Sequence, residues 1–271
     1  MIFLTGQLTA LGDLIVSPLP AWAGLLLCSL ATALFILLVY KVVSNQKAIA
    51  RHKSRIFGHF LSIYLYRDSP ALILRSLGRV LVSIACYLGF FLPPLIIVFI
   101  PVSLMLAQLE LRYGHGCPPV GGTAIVRVFV EKGTDLFIQP PSLSFEGGME
   151  TVSPPLRMES KSEIDWKVRL LETGKIPFSL RVAGETFPGR LDLSPGNHPV
   201  YPVRTKPGFW AAVQYPGQPY LPGDGPIRRV EFELPGREID LGFAEAHWVI
   251  IYFVLTIGLA FGLKKPFRVE F

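Results

Sequence analysis

Five polar side chains interrupt three otherwise apolar stretches of this sequence: Ser29 and Thr32 in the first, Ser103 and Gln108 in the second, Thr256 in the third. The chemistry open to them is hydrogen bonding. Small hydroxyls in hydrophobic helices usually bond to their own backbone or to a neighbouring helix; the functional alternative is that the five line a water-accessible groove. No charged residue lies deep in any stretch, which argues against an ion pump or a proton relay. Elsewhere, His115 and Cys117 stand two residues apart in a Gly/Pro-rich loop, too few ligands for a zinc site. Glu231 and Glu233 fall on one face of a predicted strand and read as exposed. His52 and His59 read as solvated residues of a basic segment, and His247 as an interfacial neighbour of Trp248. There is no GxSxG, HExxH, phosphate-binding loop or dinucleotide fingerprint. The expectation is a protein that is not an enzyme and that carries no cofactor or metal.

The elements that position these residues follow from hydropathy. The chain has 271 residues, 51% of them hydrophobic and 17% charged, with mean hydropathy +0.45. That balance is too apolar for an ordinary soluble domain. The apolar residues concentrate in Trp22–Val43, Val80–Leu111 and Ala246–Leu263, each long enough to cross ~30 Å of hydrocarbon. Trp22 opens the first stretch and Tyr40-Lys41 closes it, the aromatic and snorkelling pattern of a membrane crossing. Three transmembrane helices are therefore expected, at 22–43, 93–111 and 246–263.

Charge orients them. Between the first two spans Lys41, Lys47, Arg51, Lys53, Arg55, Arg67, Arg75 and Arg79 face one acid, Asp68, and the tail 264–271 adds Lys264, Lys265 and Arg268 against Glu270. Residues 112–243 hold fifteen basic and fifteen acidic side chains and are neutral. The net charge of +6 thus sits beside membrane helices, the positive-inside pattern. It predicts a multi-pass protein of a bacterial inner (plasma) membrane, with a short outside N-terminal segment (1–21), a cytoplasmic basic arm, residues 112–243 outside and the C-terminus inside. A specific nucleic-acid surface is not expected, since these charges abut spans and carry no recognition module. Cys28, Cys86 and Cys117 make neither a disulfide framework nor a CxxC motif.

The arm, about 44–92, reads as a helical hairpin or short coiled coil. Ile49, Ile56, Phe60 and Ile63 recur at helical spacing among the basic residues, and Asp68-Ser69-Pro70 can start a second helix. The prolines at 93, 94 and 101 suggest that Leu72–Leu92 returns along the interface and Pro94–Leu109 crosses; one long kinked helix is the alternative. Residues 112–243 show strand periodicity. Ile164, Trp166, Val168 and Leu170 alternate with polar residues, as do Ile176, Phe178, Leu180 and Val182, which predicts a hairpin turning at 172–175. Ala124–Val130 and Val230–Leu234 share the period. The length and spacing fit an all-β immunoglobulin-like sandwich of about seven strands between spans two and three, with Trp166 in its core.

Two sets of residues resemble known membrane proteins. Val39-Tyr40-Lys41-Val42-Val43-Ser44-Asn45-Gln46-Lys47 is similar to the point where the three-span branch of the YidC-type insertase superfamily leaves its first span for a coiled coil. That branch includes the insertase subunit of the endoplasmic-reticulum membrane protein complex and archaeal YidC-like proteins. Leu109–Gly114 and the ending from His247-Trp248 to Pro266-Phe267 are similar to an uncharacterised group of bacterial inner-membrane proteins. Together the similar regions cover about 22–112 and 246–268. The insertases carry a groove arginine; here Lys41 and Arg79, at the edge of the spans, stand nearest to it. The resemblance implies an insertase or membrane chaperone, working through a semi-polar groove that lowers the cost of passing polar groups across hydrocarbon. Its basic arm would meet the lipid bilayer, a ribosome or a nascent chain, and its spans would meet client membrane proteins. The alternative is a non-catalytic accessory subunit that docks partners in a larger membrane complex through its β domain and spans.

Overall fold

A computed structural model describes residues 12–13, 15–65, 70–134, 139–242 and 245–269, without the side chains of Lys47 and Pro70. The chain divides into two compact units, Met1–Leu25 with Leu104–Ile251, and Leu26–Ser103 with Tyr252–Phe271. Helix α1 (Ala21–Val43) is followed by α2 (Gln46–Leu65) and α3 (Pro70–Leu109), which ends in a π-helical turn, Glu110–Gly114. Among the described residues eleven strands follow: β1 (Thr123–Val130), β2 (Ser142–Phe145), β3 (Met149–Thr151), β4 (Leu156–Met158), β5 (Glu163–Leu170), β6 (Lys175–Val182), β7 (Glu185–Asp192), β8 (Val203–Thr205), β9 (Ile227–Glu233), β10 (Glu238–Asp240) and β11 (Glu245–His247). A short helix α4 (Phe209–Gln214) precedes β9, and α5 (Trp248–Phe267) ends the fold. Three helical segments, Ala21–Val43, Ala71–Gly114 and Trp248–Phe267, are long and apolar enough to cross a membrane, so the chain is a multi-pass membrane protein with a separate β region.

In the helical unit, α1 stops where polar side chains compete for its last carbonyls. The Ser44 hydroxyl donates to the Tyr40 carbonyl at 2.6 Å and Gln46 Nε2 donates to the same oxygen at 2.9 Å. The Ala48 N–H then donates to Asn45 Oδ1 at 3.1 Å, an N-cap that starts α2 after a two-residue corner. At the far end of the unit Leu37 and Tyr40 of α1, Val98 of α3 and Val269 share a small core, with Tyr40 tilted against Phe91 at 5.2 Å. The arm residues Arg67, Asp68 and Ser69 lie outside the described residues.

Helix α3 differs from the preferred division of its sequence. It is one continuous helix through Pro93, Pro94 and Pro101, with no break between an interfacial and a crossing part. Each proline lacks the N–H that would bond four residues back, which removes the helical partners of the Gly89, Phe90 and Ile97 carbonyls. In hydrocarbon no water competes for the remaining backbone groups, so an apolar helix continues through prolines that would end a soluble one.

In the β unit all strand pairs are antiparallel. One sheet runs β3-β5-β1-β9-β8, with β4 also on β5; a second runs β2-β6-β7; β10 and β11 form a small ribbon. The sheets are open. The two larger ones bury a common core that includes Val126, Trp166, Val168, Phe178, Leu180 and Phe232. The expected strands at 124–130, 164–170, 176–182 and 230–234 are all present. The expected hairpin between 164–170 and 176–182 is not: β5 pairs with β1, β3 and β4, whereas β6 pairs with β2 and β7. Both strands turn their apolar faces to the same core, but from different sheets, and the turn through Gly174 (φ 141°) carries the chain across between them. The actual hairpin is β6–β7. Ala183 (φ 51°) and Gly184 (φ 82°) form its two-residue left-handed turn, the geometry that suits the strand twist. Opposite Phe178, Gly189 leaves β7 bare, and a Cβ there would overlap the Phe178 ring.

The same unit holds the start of α1 and the end of α3. A Cβ at Gly24 would overlap the hydroxyl of the fully buried Tyr113 and come within 2.9 Å of Val16 Cγ1. Gly24→Ala is expected to lower stability by about 1–3 kcal/mol, as overpacking does. Tyr113→Phe should restore much of it by removing the overlapping oxygen. Thermal unfolding of the full chain in detergent reads both, and a Gly24→Ala protein as stable as the parent would contradict the packing.

Candidate partner interface

Three of the five groove candidates come together, and they do so in a closed cluster. Ser29, Thr32 and Thr256 are buried, with Tyr252 fully buried among them. The i, i+3 spacing of Ser29 and Thr32 and the i, i+4 spacing of Tyr252 and Thr256 put each pair on one helix face. The Ser29 hydroxyl donates to the Tyr252 carbonyl at 3.4 Å, and the Thr32 hydroxyl to the Cys28 carbonyl at 2.8 Å. The Tyr252 hydroxyl in turn donates to Thr32 Oγ1 at 3.0 Å. The Ser29 and Tyr252 hydroxyls thus bond helix to helix, whereas the Thr32 hydroxyl donates within α1. Ser103 and Gln108 are half-buried on α3, and Gln108 belongs to the β unit. Tyr252, the centre of the cluster, went unnoticed in sequence because a tyrosine near the start of a span reads as an interfacial aromatic.

The basic residues divide. Lys41 is exposed in the last turn of α1, Arg51 is exposed on α2 and Lys53 is half-buried there. Arg55 of α2 and Arg75 and Arg79 of α3 line one cavity of about 430 Å³ with His59, Gly78, Val82 and Ser83. His59 was expected in solvent and is half-buried in this lining. His52 stacks on Phe90 at 5.7 Å. The Lys47 side chain lies outside the described residues.

Of the three long apolar helices, α3 is the least covered. Of its most apolar stretch 11% is buried, against 39% for α1 and 28% for α5. Leu81, Leu88, Leu92, Ile96, Phe99 and Ile100 are all exposed, and their spacing of three, four and seven forms one stripe. The uncharged run between Arg79 and Glu110 is thirty residues long, about 45 Å of helix against ~30 Å of hydrocarbon. The stripe from Leu81 to Ile100 accounts for about 30 Å of that length, the thickness of the hydrocarbon, and residues 102–109 are half-buried or buried within the protein.

Around the end of α3 the polar groups of the β unit are structural. The Arg112 guanidinium, 4% exposed, pairs with Asp13 at 2.5 Å and donates to the Asn197 carbonyl at 3.1 Å. Arg237 donates to Asn197 Oδ1 at 2.9 Å, and Asn197 Nδ2 to the Leu19 carbonyl at 2.7 Å. A cavity of about 340 Å³ beside them is lined by residues including His115, Cys117 and His198. Burial pushes the Cys117 thiol up, away from a reactive thiolate. Burial also lowers His115, against the opposing charge of Glu110. Hydrogen bonds from Ser194 and the neighbouring His198 and Lys175 outweigh burial and hold Asp192 below its ordinary value. Glu231 pairs with Arg229 at 2.8 Å and Glu233 with Arg127 at 2.9 Å. His247 is exposed beside the buried Trp248, and its Nδ1 accepts from the Val249 N–H at 3.4 Å, capping α5. Among the described residues no three His, Cys, Asp or Glu side chains gather as metal ligands. No family model, curated protein or solved structure matches the chain.

Proposed function

We propose that this protein is a non-catalytic subunit of a bacterial inner-membrane complex, and that it holds a partner membrane protein along the outer stripe of α3. The carrying observation is the 11% burial of that stretch, against 39% and 28% for the other two apolar helices. The carbonyls of Gly89, Phe90 and Ile97, released by the prolines, add a second reason: in hydrocarbon such groups need polar neighbours. The positive segments place α2 and the first part of α3 on the cytoplasmic side as a helical hairpin, with the β unit outside. There the β unit, whose two larger sheets share a core, serves as an immunoglobulin-like docking module.

Photo-crosslinking residues introduced at Ile96, Phe99 and Ile100 of the full chain in native membranes test this. One reproducible protein adduct of fixed mass, recovered in stoichiometric amounts, is expected. Adducts with lipid alone would overturn the proposal.

Insertion of client helices is the second reading. It draws on the half-buried Ser103 in α3 and on the arginines gathered at the α2–α3 cavity. It would produce a ladder of nascent-chain adducts in place of a single band.

A further inference from the structure

The cavity between α2 and α3 brings together charges whose own helices carry no acid, Asp68 of the connection lying outside the described residues. Arg55 and His59 are one turn apart on α2, and Arg75 and Arg79 one turn apart on α3, so each pair faces the cavity from one helix side. Neither Gln46–Leu65 nor Pro70–Leu109 contains an aspartate or a glutamate. Among the described residues none of these three guanidinium groups has a carboxylate partner. Three like charges around one space of about 430 Å³ repel each other until an anion enters. Gly78 leaves room between Arg75 and Arg79, because a Cβ there would meet nothing within 4 Å.

We infer that this cavity binds a phosphate group through Arg55, Arg75 and Arg79, and that the phosphate belongs to an acidic phospholipid. The planar guanidinium fork matches two phosphate oxygens at once, which is why arginine suits this anion better than lysine. The buried Ser83 hydroxyl lies one turn beyond Arg79 in the same lining, a neutral polar contact for the headgroup. Val82 lines the cavity, and Leu74 and Leu77 stand exposed on the same helix beside the arginines. Acyl chains would cover these positions; a free phosphate ion would leave them bare. The site is independent of the α3 stripe proposed above as the partner face.

The test uses the full chain in detergent, titrated separately with dioleoyl phosphatidylglycerol, dioleoyl phosphatidylcholine and inorganic phosphate, with bound species counted by native mass spectrometry. The acidic lipid is expected to be retained at about tenfold or lower concentration than the zwitterionic one. Arg75→Gln with Arg79→Gln should weaken that retention about tenfold or more, while Lys41→Gln with Lys265→Gln, which removes the same charge elsewhere, changes it less than about twofold. Competition by inorganic phosphate at matching concentrations would keep the phosphate site and overturn its assignment to a lipid. Equal losses in the two double variants would mean a diffuse charge effect and overturn the site. So would arginine-dependent binding of an RNA oligonucleotide with no retention of the acidic lipid. Circular dichroism and gel filtration of the variants separate these results from misfolding, which is not expected for two exposed side chains.

Discussion

Trp166→Ala is expected to lower the stability of the β unit by about 3–5 kcal/mol, the usual cost of emptying a large aromatic site in a core. Trp166 is 2% exposed and is among the largest fully enclosed side chains of the molecule. It sits at the centre of β5, opposite Val126 of β1, between the inward-facing Ile164 and Val168. The larger sheet meets Phe178 and Leu180 of the other sheet in the same core, so the cavity would open between two layers and could not close by shifting one strand. Trp166→Phe, which keeps most of the volume, should cost a fraction of that amount. Hydrogen exchange of the β1 and β9 amides in the detergent-solubilised protein reads the effect directly. Unchanged protection in the alanine variant would show that the side chain is not part of this core.

Arg112→Met should cost about 2–4 kcal/mol, a figure reduced from that of a fully buried pair because one partner is partly in water. The guanidinium is 4% exposed, whereas Asp13 is 41% exposed. Losing Arg112 leaves the Asn197 carbonyl without its charged donor and opens the contact between the end of α3 and the loop at 194–200, where the Val200 N–H also bonds the Leu111 carbonyl at 2.7 Å. Asp13→Asn should cost much less, since water can solvate the half-exposed position. That asymmetry is the readout. Equal losses on the two sides would mean that the pair itself, and not the buried guanidinium, holds the segment. Tyr201 offers an internal probe. Burial and the nearby Asp13 carboxylate push its hydroxyl up to about 12, against the opposing charge of Arg112. In Arg112→Met its ionisation, followed by ultraviolet absorbance, should move higher still.

How far the sequence carries depends on where each element keeps its information. β1, β5, β6 and β9 were readable because each buries one face, and the period of two survives in the residues themselves. Their pairing was not, because β5 and β6 present the same alternation to one core from opposite layers. The informative signal was Ala183-Gly184, a two-residue turn between Val182 and Glu185 whose left-handed backbone marks the real hairpin. β3, β4, β8, β10 and β11 have three residues each, too few for any period. The prolines of α3 suggested a break because that rule was learned in water. The hydroxyl cluster was half visible. Ser29, Thr32 and Thr256 stood out as polar in apolar runs, but Tyr252, which bonds Ser29 and Thr32, is separated from those two by most of the chain. The arginines gathered by α2 and α3 depend on how the two helices meet, which spacing within either helix cannot give.

The bond from Ser29 to Tyr252 joins residues 223 positions apart in the chain. At ribosomal speeds of about 5–20 residues per second, the tyrosine emerges roughly 10–45 s after the serine. The Asn197 contact that secures the Leu19 carbonyl likewise spans 178 positions. During that interval the first hydrophobic segment has neither its hydroxyl partner nor its anchor. It can pack against α3 early in that interval, through Tyr40 with Phe91 and Leu37 with Val98, but its hydroxyl pairing with α5 forms only near the end of translation, which makes that contact the last step of assembly.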